Sequence, residues 1–252
     1  MKQSAVAAKQ FGDTAAAYLT SAVHAQGEDL QAAKAMVGSV ENAVVLDLGC
    51  GGGHVSFAVA PVASSVVACD LSEQMLAVVA AAARERGLAN IVTRQAQAET
   101  LPFADASFDI VITRFSAHHW SDVPTGLREA HRVLRSGGRL VVIDIAAPEY
   151  PLHDTTLQAV ELLRDASHVR DYRVSEWNDM LRAAGFAAEH VRSWKLKMVF
   201  ADWIARMRTP PERVTAIRSL FASAPDETRS YFSVEADDSF TIDAAMFQAQ
   251  RL

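Results

Sequence analysis

The densest chemical feature of the chain is Asp47-Leu48-Gly49-Cys50-Gly51-Gly52-Gly53-His54, with four glycines in five residues. Missing Cβ atoms let a ligand approach the main chain. A helix starting there adds unpaired N–H donors at its first turn. A tight strand-to-helix turn is the purely structural alternative. The register narrows the ligand. A dinucleotide fingerprint needs G-x-G-x-x-G, but counting from Gly49 puts His54 at the third glycine, and counting from Gly51 puts Ser56 there. No Gly-Lys-Ser/Thr follows, so a P-loop is excluded as well. The pattern that remains is D-x-G-x-G-x-G. Further on, Val66-Val67-Ala68-Cys69-Asp70 places a carboxylate at the end of an apolar run. A carboxylate there accepts from both hydroxyls of a ribose, which serves any adenosine ligand, NAD included. Ser72 is the better cap for the helix that follows.

A third cluster is Ser116-Ala117-His118-His119-Trp120. Imidazole titrates near neutrality and suits a general base, although packing explains the same residues. Adjacent side chains diverge, so at most one of His118 and His119 faces a substrate. Asp144 and His153 are secondary candidates. No H-E-x-x-H or comparable spacing occurs, so no metal site is expected.

These residues need elements to hold them. From residue 43 to 145, short β-branched runs alternate with helical patterns, the signature of parallel βαβ units. The expected strands are Ala43–Leu48, Ser65–Ala68, Ile91–Gln95, Phe108–Thr113 and Arg139–Ile145. Most are almost wholly apolar, as befits strands covered on both faces. Between them come a helix after the glycines that stops near Pro61, one capped by Ser72 that ends before Gly87, and one from Asp122 to Leu134 ending near Ser136-Gly137-Gly138. This rhythm predicts an α/β, Rossmann-like doubly wound sheet. Residues 4–38 read as alanine-rich helix broken near Gly27, placed to fold over the mouth of the sheet. Residues 150–232 read as mostly helical apart from a strand-like run Ala187–Phe200, and Ser239–Gln248 reads as a final strand. That makes seven strands, a cap over 1–40, a core over 41–147 and a helical lid with the last strands over 148–252, all in one domain.

Composition agrees with a globular protein. At 252 residues the chain can bury a sizeable core, and 50% hydrophobic with 21% charged residues excludes disordered and highly charged classes. The net charge of −6 supplies no field for nucleic acid or anionic membrane. Only Cys50 and Cys69 occur, both beside apolar runs, which suits a reducing compartment. The longest apolar run, Met75 to Ala83, is far short of the roughly 20 residues that span a bilayer. A cytoplasmic protein, monomeric or homodimeric, is expected. One local exception is the stretch from Arg192 to Arg218, where seven basic residues face only Asp202 and Glu212. It suits an anionic substrate or a solvated helix face.

Together LDLGCGGG, VVACDLSEQML, QAQAETLPFADASFDIVITR and LREAHRVLRSGGRLVVIDI resemble the class I S-adenosylmethionine-dependent methyltransferases, in the branch similar to quinone-biosynthesis and small-molecule enzymes. The resemblance covers residues 10–147 and implies a last strand antiparallel to the rest. It also implies a binding set for S-adenosylmethionine, released as S-adenosylhomocysteine. Asp47 would fix the loop and the amino group, with Gly49, Cys50, Gly51 and Gly53 along the methionine and ribose. Asp70 would hold the ribose, Leu71 and Met75 would face the adenine, and Gln97, Ala98 and Glu99 would meet its edge. The family usually has Asp where this chain has Gln97. Arg114 would lie beside the methionine portion, and Tyr18, in the pattern Phe11-Gly12…Tyr18…Ser21…His24, would close over it.

Segment Thr113-Arg114-Phe115-Ser116 lacks the Pro-Pro signature of base-amine methylation, and no Pro-Cys nucleophile exists, so a small-molecule acceptor is expected. A nicotinamide-dependent oxidoreductase and a non-catalytic S-adenosylmethionine-binding protein are the alternatives.

Overall fold

The computed structural model describes residues 2–12 and 27–252. Tyr18, Ser21 and His24 lie outside them.

Five parallel strands form the centre of the sheet: β1 (Val44–Leu48), β2 (Ser65–Asp70), β3 (Ile91–Gln95), β4 (Phe108–Arg114) and β5 (Leu134–Ala147). After them come β6 (Tyr172–Arg173), β7 (Phe186–Met198) and β8 (Phe240–Arg251). The order is β3-β2-β1-β4-β5-β8-β7, with β8 antiparallel to both its neighbours. The seven expected strands are present. The eighth, β6, is a two-residue pairing with the end of β5, too short to leave a periodic signal. One expectation needs correction. The glycines at 137 and 138 do not form a turn after the helix, because β5 already begins at Leu134. They sit where its pairing with β4 jumps from Phe108↔Leu134 to Ile110↔Arg139, and Gly137 has φ of 74°. A bulge, like a turn, uses glycine for positive φ, so the local sequence does not separate the two.

Helices cover both faces because both faces are apolar. On β4, Ile110 and Ile112 pack with α2 (Glu28–Gly38) and α3 (His54–Val59), through Leu30, Val37, Val55 and Val59. Val111, between them, points to the other side, against α5 (Val123–Val133) and α7 (Val174–Ala183), where Leu127, Trp177 and Leu181 are buried. Each such large side chain contributes about 1.5–3 kcal/mol by leaving water. Helix α4 (Glu73–Glu85) flanks β2 and β3 and is capped as expected, with Ser72 Oγ accepting from Met75 N. A third layer stands over the carboxyl ends of the strands. It is built from α6 (Pro151–Arg164), α8 (Phe200–Arg206), α9 (Pro211–Ser223) and α10 (Asp226–Tyr231). Trp203, Phe221 and Leu157 seal it against Ile145, Met198 and Ile242, at the end of the sheet where ligands bind in open α/β folds. Helix α1 (Gln3–Gly12) reaches this layer through Gln3 Nε2, which donates to the Ser167 carbonyl, and Gln10 Nε2, which donates to that of Met207.

Ser72→Ala removes the only side-chain cap of α4. Urea unfolding is expected to show a loss of about 1 kcal/mol, with little change in slope.

Candidate active site

The chain turns from β1 into α3 through Gly49, Gly51 and Gly53, which have φ of 75°, 47° and 80°. A Cβ at Gly53 would press on Phe57 and Val79, and one at Gly49 would run into Ser116. At Gly51 a Cβ meets no protein atom within 4 Å. Gly51 therefore faces open space, the wall of a cavity of about 1010 Å³ counted to its open mouth. Its floor includes Asp47, Gly49, Cys50, Asp70 and Leu71. Ala98, Glu99 and Trp120 stand at one side, and Ala7 and Phe11 of α1 cover it.

Two carboxylates organise this floor. Asp47, fully buried, accepts from Ser56 N at 2.9 Å and Ser56 Oγ at 2.6 Å, tying the end of β1 to α3. Burial raises its pKa to about 7 against the pull of those bonds. Asp70 Oδ2 accepts from Gly51 N, and Oδ1 accepts from Ser72 N, both at 2.9 Å. Burial pushes this carboxyl up while the N–H bonds pull it back. A carboxylate has about four acceptor positions, so Asp70 retains capacity for ligand hydroxyls at the cavity wall.

Other expected residues are distributed unevenly. Met75 is wholly buried in α4 and Gly53 lies behind the loop, so neither lines the cavity. Gln97 is exposed and forms an isolated bridge with Thr100, leaving its neighbours Ala96 and Ala98 on the wall. Glu99 lines the cavity and accepts from Ser121 N and Asp122 N, fixing the loop behind Trp120. Arg114 lines it too, but its Nε donates to Asp29 at 2.5 Å in a buried ion pair that anchors α2 to the end of β4. Both cysteines are buried and free, and burial drives the Cys69 thiol up to about 12, which leaves it inert.

A second cavity of about 610 Å³ lies between the sheet edge and the third layer. Phe115 and His119 line both cavities, so these two side chains form the shared wall. Phe115 has φ of 50°, a conformation that costs a bulky residue about 1–2 kcal/mol. Sequence reading missed it, since nothing in an aromatic residue after a strand signals positive φ.

His118 lines only the second cavity. Asp144, another secondary candidate, accepts from His118 Nδ1 at 2.5 Å and from Ala117 N at 2.9 Å. Burial works against the imidazolium, but Asp144, through its charge and its hydrogen bond, more than offsets it and raises the pKa to about 9. His119 Nδ1 meets the Ser167 carbonyl at 3.1 Å and acts as the donor, which leaves a lone pair on Nε2. Burial and the charge on His118 hold His119 well below the usual imidazole range, and do the same to His168, whose ring lies 5.9 Å from that of His118. The two adjacent histidines differ in charge but do not diverge in direction, contrary to expectation, since their rings lie 4.2 Å apart and both line the second cavity. His153 packs on Tyr231, away from either cavity wall. The basic stretch is largely neutralised. Arg192, Lys195, Lys197 and Arg218 pair with Glu28, Asp243, Glu235 and Asp238, whereas Arg206 lines the second cavity. Among the described residues there is no metal-binding cluster, and no helix is long and apolar enough to cross a membrane.

Residues 46–142, which hold the loop, Asp70 and both histidines, match the family model described as a methyltransferase domain. YcgJ of Bacillus subtilis (strain 168), described as an uncharacterized methyltransferase, is 36% identical over 246 residues, 94% of this chain and 96% of YcgJ. The chain belongs to the class I S-adenosylmethionine-dependent methyltransferases. Its fold follows that of the YcgJ crystal structure with a TM-score of 0.83 at 35% identity, covering 89% of this chain and 98% of that one. YafE of Escherichia coli (strain K12), an uncharacterized protein, is 50% identical over 199 residues, 79% of this chain and 96% of YafE. The ubiquinone/menaquinone biosynthesis C-methyltransferase UbiE of Sinorhizobium fredii (strain NBRC 101917 / NGR234) is 38% identical over 118 residues, 45% of this chain and 46% of UbiE. The resemblance to UbiE thus falls on about half of each methyltransferase.

Gly51→Ala in this methyltransferase is expected to cost only about 1 kcal/mol of stability, the strain of a left-handed alanine. It should nevertheless abolish ligand binding in the first cavity, read by calorimetry with S-adenosylhomocysteine. Gly49→Ala, which collides with Ser116, should lose both.

Histidine titration gives a second expectation. Unfolded histidine takes up a proton near pH 6.5, whereas His119 and His168 do not in the fold, so acidification below about 6.5 favours the unfolded chain. His118 has the opposite sign, contributing fully below about 6.5 and losing its contribution as the pH rises through about 9. His168→Gln should flatten the fall in the urea midpoint on going from about pH 6.5 to 5. An unchanged slope would refute the assignment.

Proposed function

We propose that this methyltransferase moves the methyl group of S-adenosylmethionine to a small-molecule acceptor by direct in-line displacement, with the donor in the first cavity and the acceptor in the second. The observation that carries this reading is the shared wall of Phe115 and His119 between a glycine-floored cavity and one roofed by the lid. The donor supplies a methyl group already activated on a sulfonium, so what the protein must add is alignment and exclusion of water.

The residues suit those tasks. Gly51 offers an open backbone, Asp70 keeps acceptor positions for ribose hydroxyls, and Leu71 and Ala98 supply apolar surface for the adenine. Gln97 is exposed, so the carboxamide that replaces the family's usual Asp reaches a ligand only at the mouth. At the shared wall, His119 is held neutral by burial and by the charge on His118, so the lone pair of its Nε2 can accept a hydrogen bond from a methyl acceptor but is a weak base for a full proton transfer. Asp144 fixes His118 beside it as a charged donor. A small molecule is the partner that two cavities of this size accommodate. Neither nucleic acid nor membrane is needed, and a cytoplasmic monomer or homodimer serves equally.

Titration calorimetry with S-adenosylmethionine and S-adenosylhomocysteine should show one site per chain. Asp70→Asn should weaken it by about tenfold or more, the worth of a charge-assisted hydrogen bond. Labelled cofactor incubated with a fractionated metabolite pool should then give a labelled small product. Absence of any binding would overturn the reading.

A further inference from the structure

The second cavity is chemically two-sided. Phe115, Ile145, Leu196, Met198 and Ile242 give it apolar walls. Its polar groups are His118, Arg164, Arg206, Glu161 and Asp171.

The state of these groups decides what they can bind. Asp144 takes His118 Nδ1, leaving the Nε2 edge of a 14% exposed ring on the cavity side. Arg164 Nε donates to the Trp203 carbonyl and one terminal nitrogen donates to Glu161 at 3.3 Å, so the Glu161 charge is matched within the wall. Asp171 is 1% exposed, and its Oδ2 has no hydrogen-bond partner among the described residues. The nearest cationic candidate is His168 Nε2 at 3.9 Å, a ring held neutral. Burial, reinforced by Glu161 and Asp144, pushes the Asp171 carboxyl well above the carboxylate range, while His118 pulls the other way. A carboxyl kept protonated donates a hydrogen bond. The polar side of the cavity therefore offers donors from an imidazolium, a guanidinium and a carboxyl.

We infer that the second cavity selects an acceptor in which an apolar body carries an ionised oxygen acid, held by His118 Nε2 and Arg164 beside Asp171. The inference rests on the assignment of this cavity to the acceptor. An amine is disfavoured because its N–H groups would meet the donors of His118 and Arg164 rather than acceptors. A neutral apolar molecule would strip water from these polar groups and return nothing to them. Carboxylates and acidic hydroxyls share the required oxyanion, and binding separates them.

The test is calorimetry on the full chain, with and without saturating S-adenosylhomocysteine. The probes are benzoate, indole-3-acetate and 4-nitrophenolate, set against benzamide, indole-3-acetamide and benzylamine. The anions are expected to bind at least about tenfold more tightly than the amides and the amine, the range of one charge-assisted hydrogen bond. His118→Gln and Arg164→Gln should erase that preference while S-adenosylhomocysteine affinity, the check on folding, stays unchanged. If a variant fails to fold, the comparison of acid with amide on the unaltered chain decides alone. Binding of carboxylates without nitrophenolate, or the reverse, supports the inference and names the acid. Equal binding of acid and amide, preference for benzylamine, or no binding of any anion overturns it. In those cases S-adenosylhomocysteine binding would leave the donor assignment standing. Loss of S-adenosylhomocysteine binding would instead overturn the donor assignment, and the titrations without it would still judge the oxyanion site.

Discussion

The chain must leave β1, turn within five residues and enter α3 with its backbone open to a cavity. That is possible only because Gly49, Gly51 and Gly53 adopt positive φ. The three glycines serve different ends. Gly49 makes room for Ser116, Gly53 makes room for Phe57 and Val79, and Gly51 leaves open space in the first cavity. Two carboxylates then hold the turn in place, buried Asp47 from the strand behind it and half-buried Asp70 from the strand beside it. Parallel register between β1 and β2 sets Asp47 opposite Ala68 and Leu48 opposite Cys69, which carries Asp70 to the level of the loop. The first cavity is thus a consequence of strand pairing plus three missing side chains.

The second half of the site depends on Asp144. One carboxylate near the end of β5 accepts from the backbone after β4 and from His118, so it joins two strand ends and orients a catalytic candidate at once. Its charge also divides the two adjacent histidines. His118 gains an anion and stays protonated, and His119, buried next to that cation, stays neutral. Identical side chains therefore carry opposite protonation states across one wall. Phe115, strained and shared by both cavities, is the other part of that wall, and backbone strain at a ligand boundary is where folds commonly concentrate it.

Much of this was legible in residue order. Apolar runs gave β1 to β5 within one or two residues at most ends, because strands buried on both faces must be apolar throughout. β5 was the exception, since the bulge at Gly137 looks like a helix stop from a single strand. The glycine register pointed away from a dinucleotide, and Asp70 emerges at the cavity wall. The sequence also singled out Met75 and Gln97, which lie off that wall. A family pattern fixes position along the chain but not which way a side chain points once Met75 packs into α4 and Gln97 turns to solvent.

Local pattern by itself determined the sheet, the glycine loop, the cap at Ser72 and the neighbourhood of the two histidines, since each depends on periodicity or on φ preferences within a few residues. Only the tertiary structure decided the second cavity. Glu161 and Arg164 of α6, Asp171 of the segment after it and His118, held by Asp144 of β5, converge where the lid meets the strand ends. The titration of His118 and Asp171 is set there by burial and by neighbours remote in sequence. Desolvation and Coulomb energy depend on distance through the fold, not along the chain.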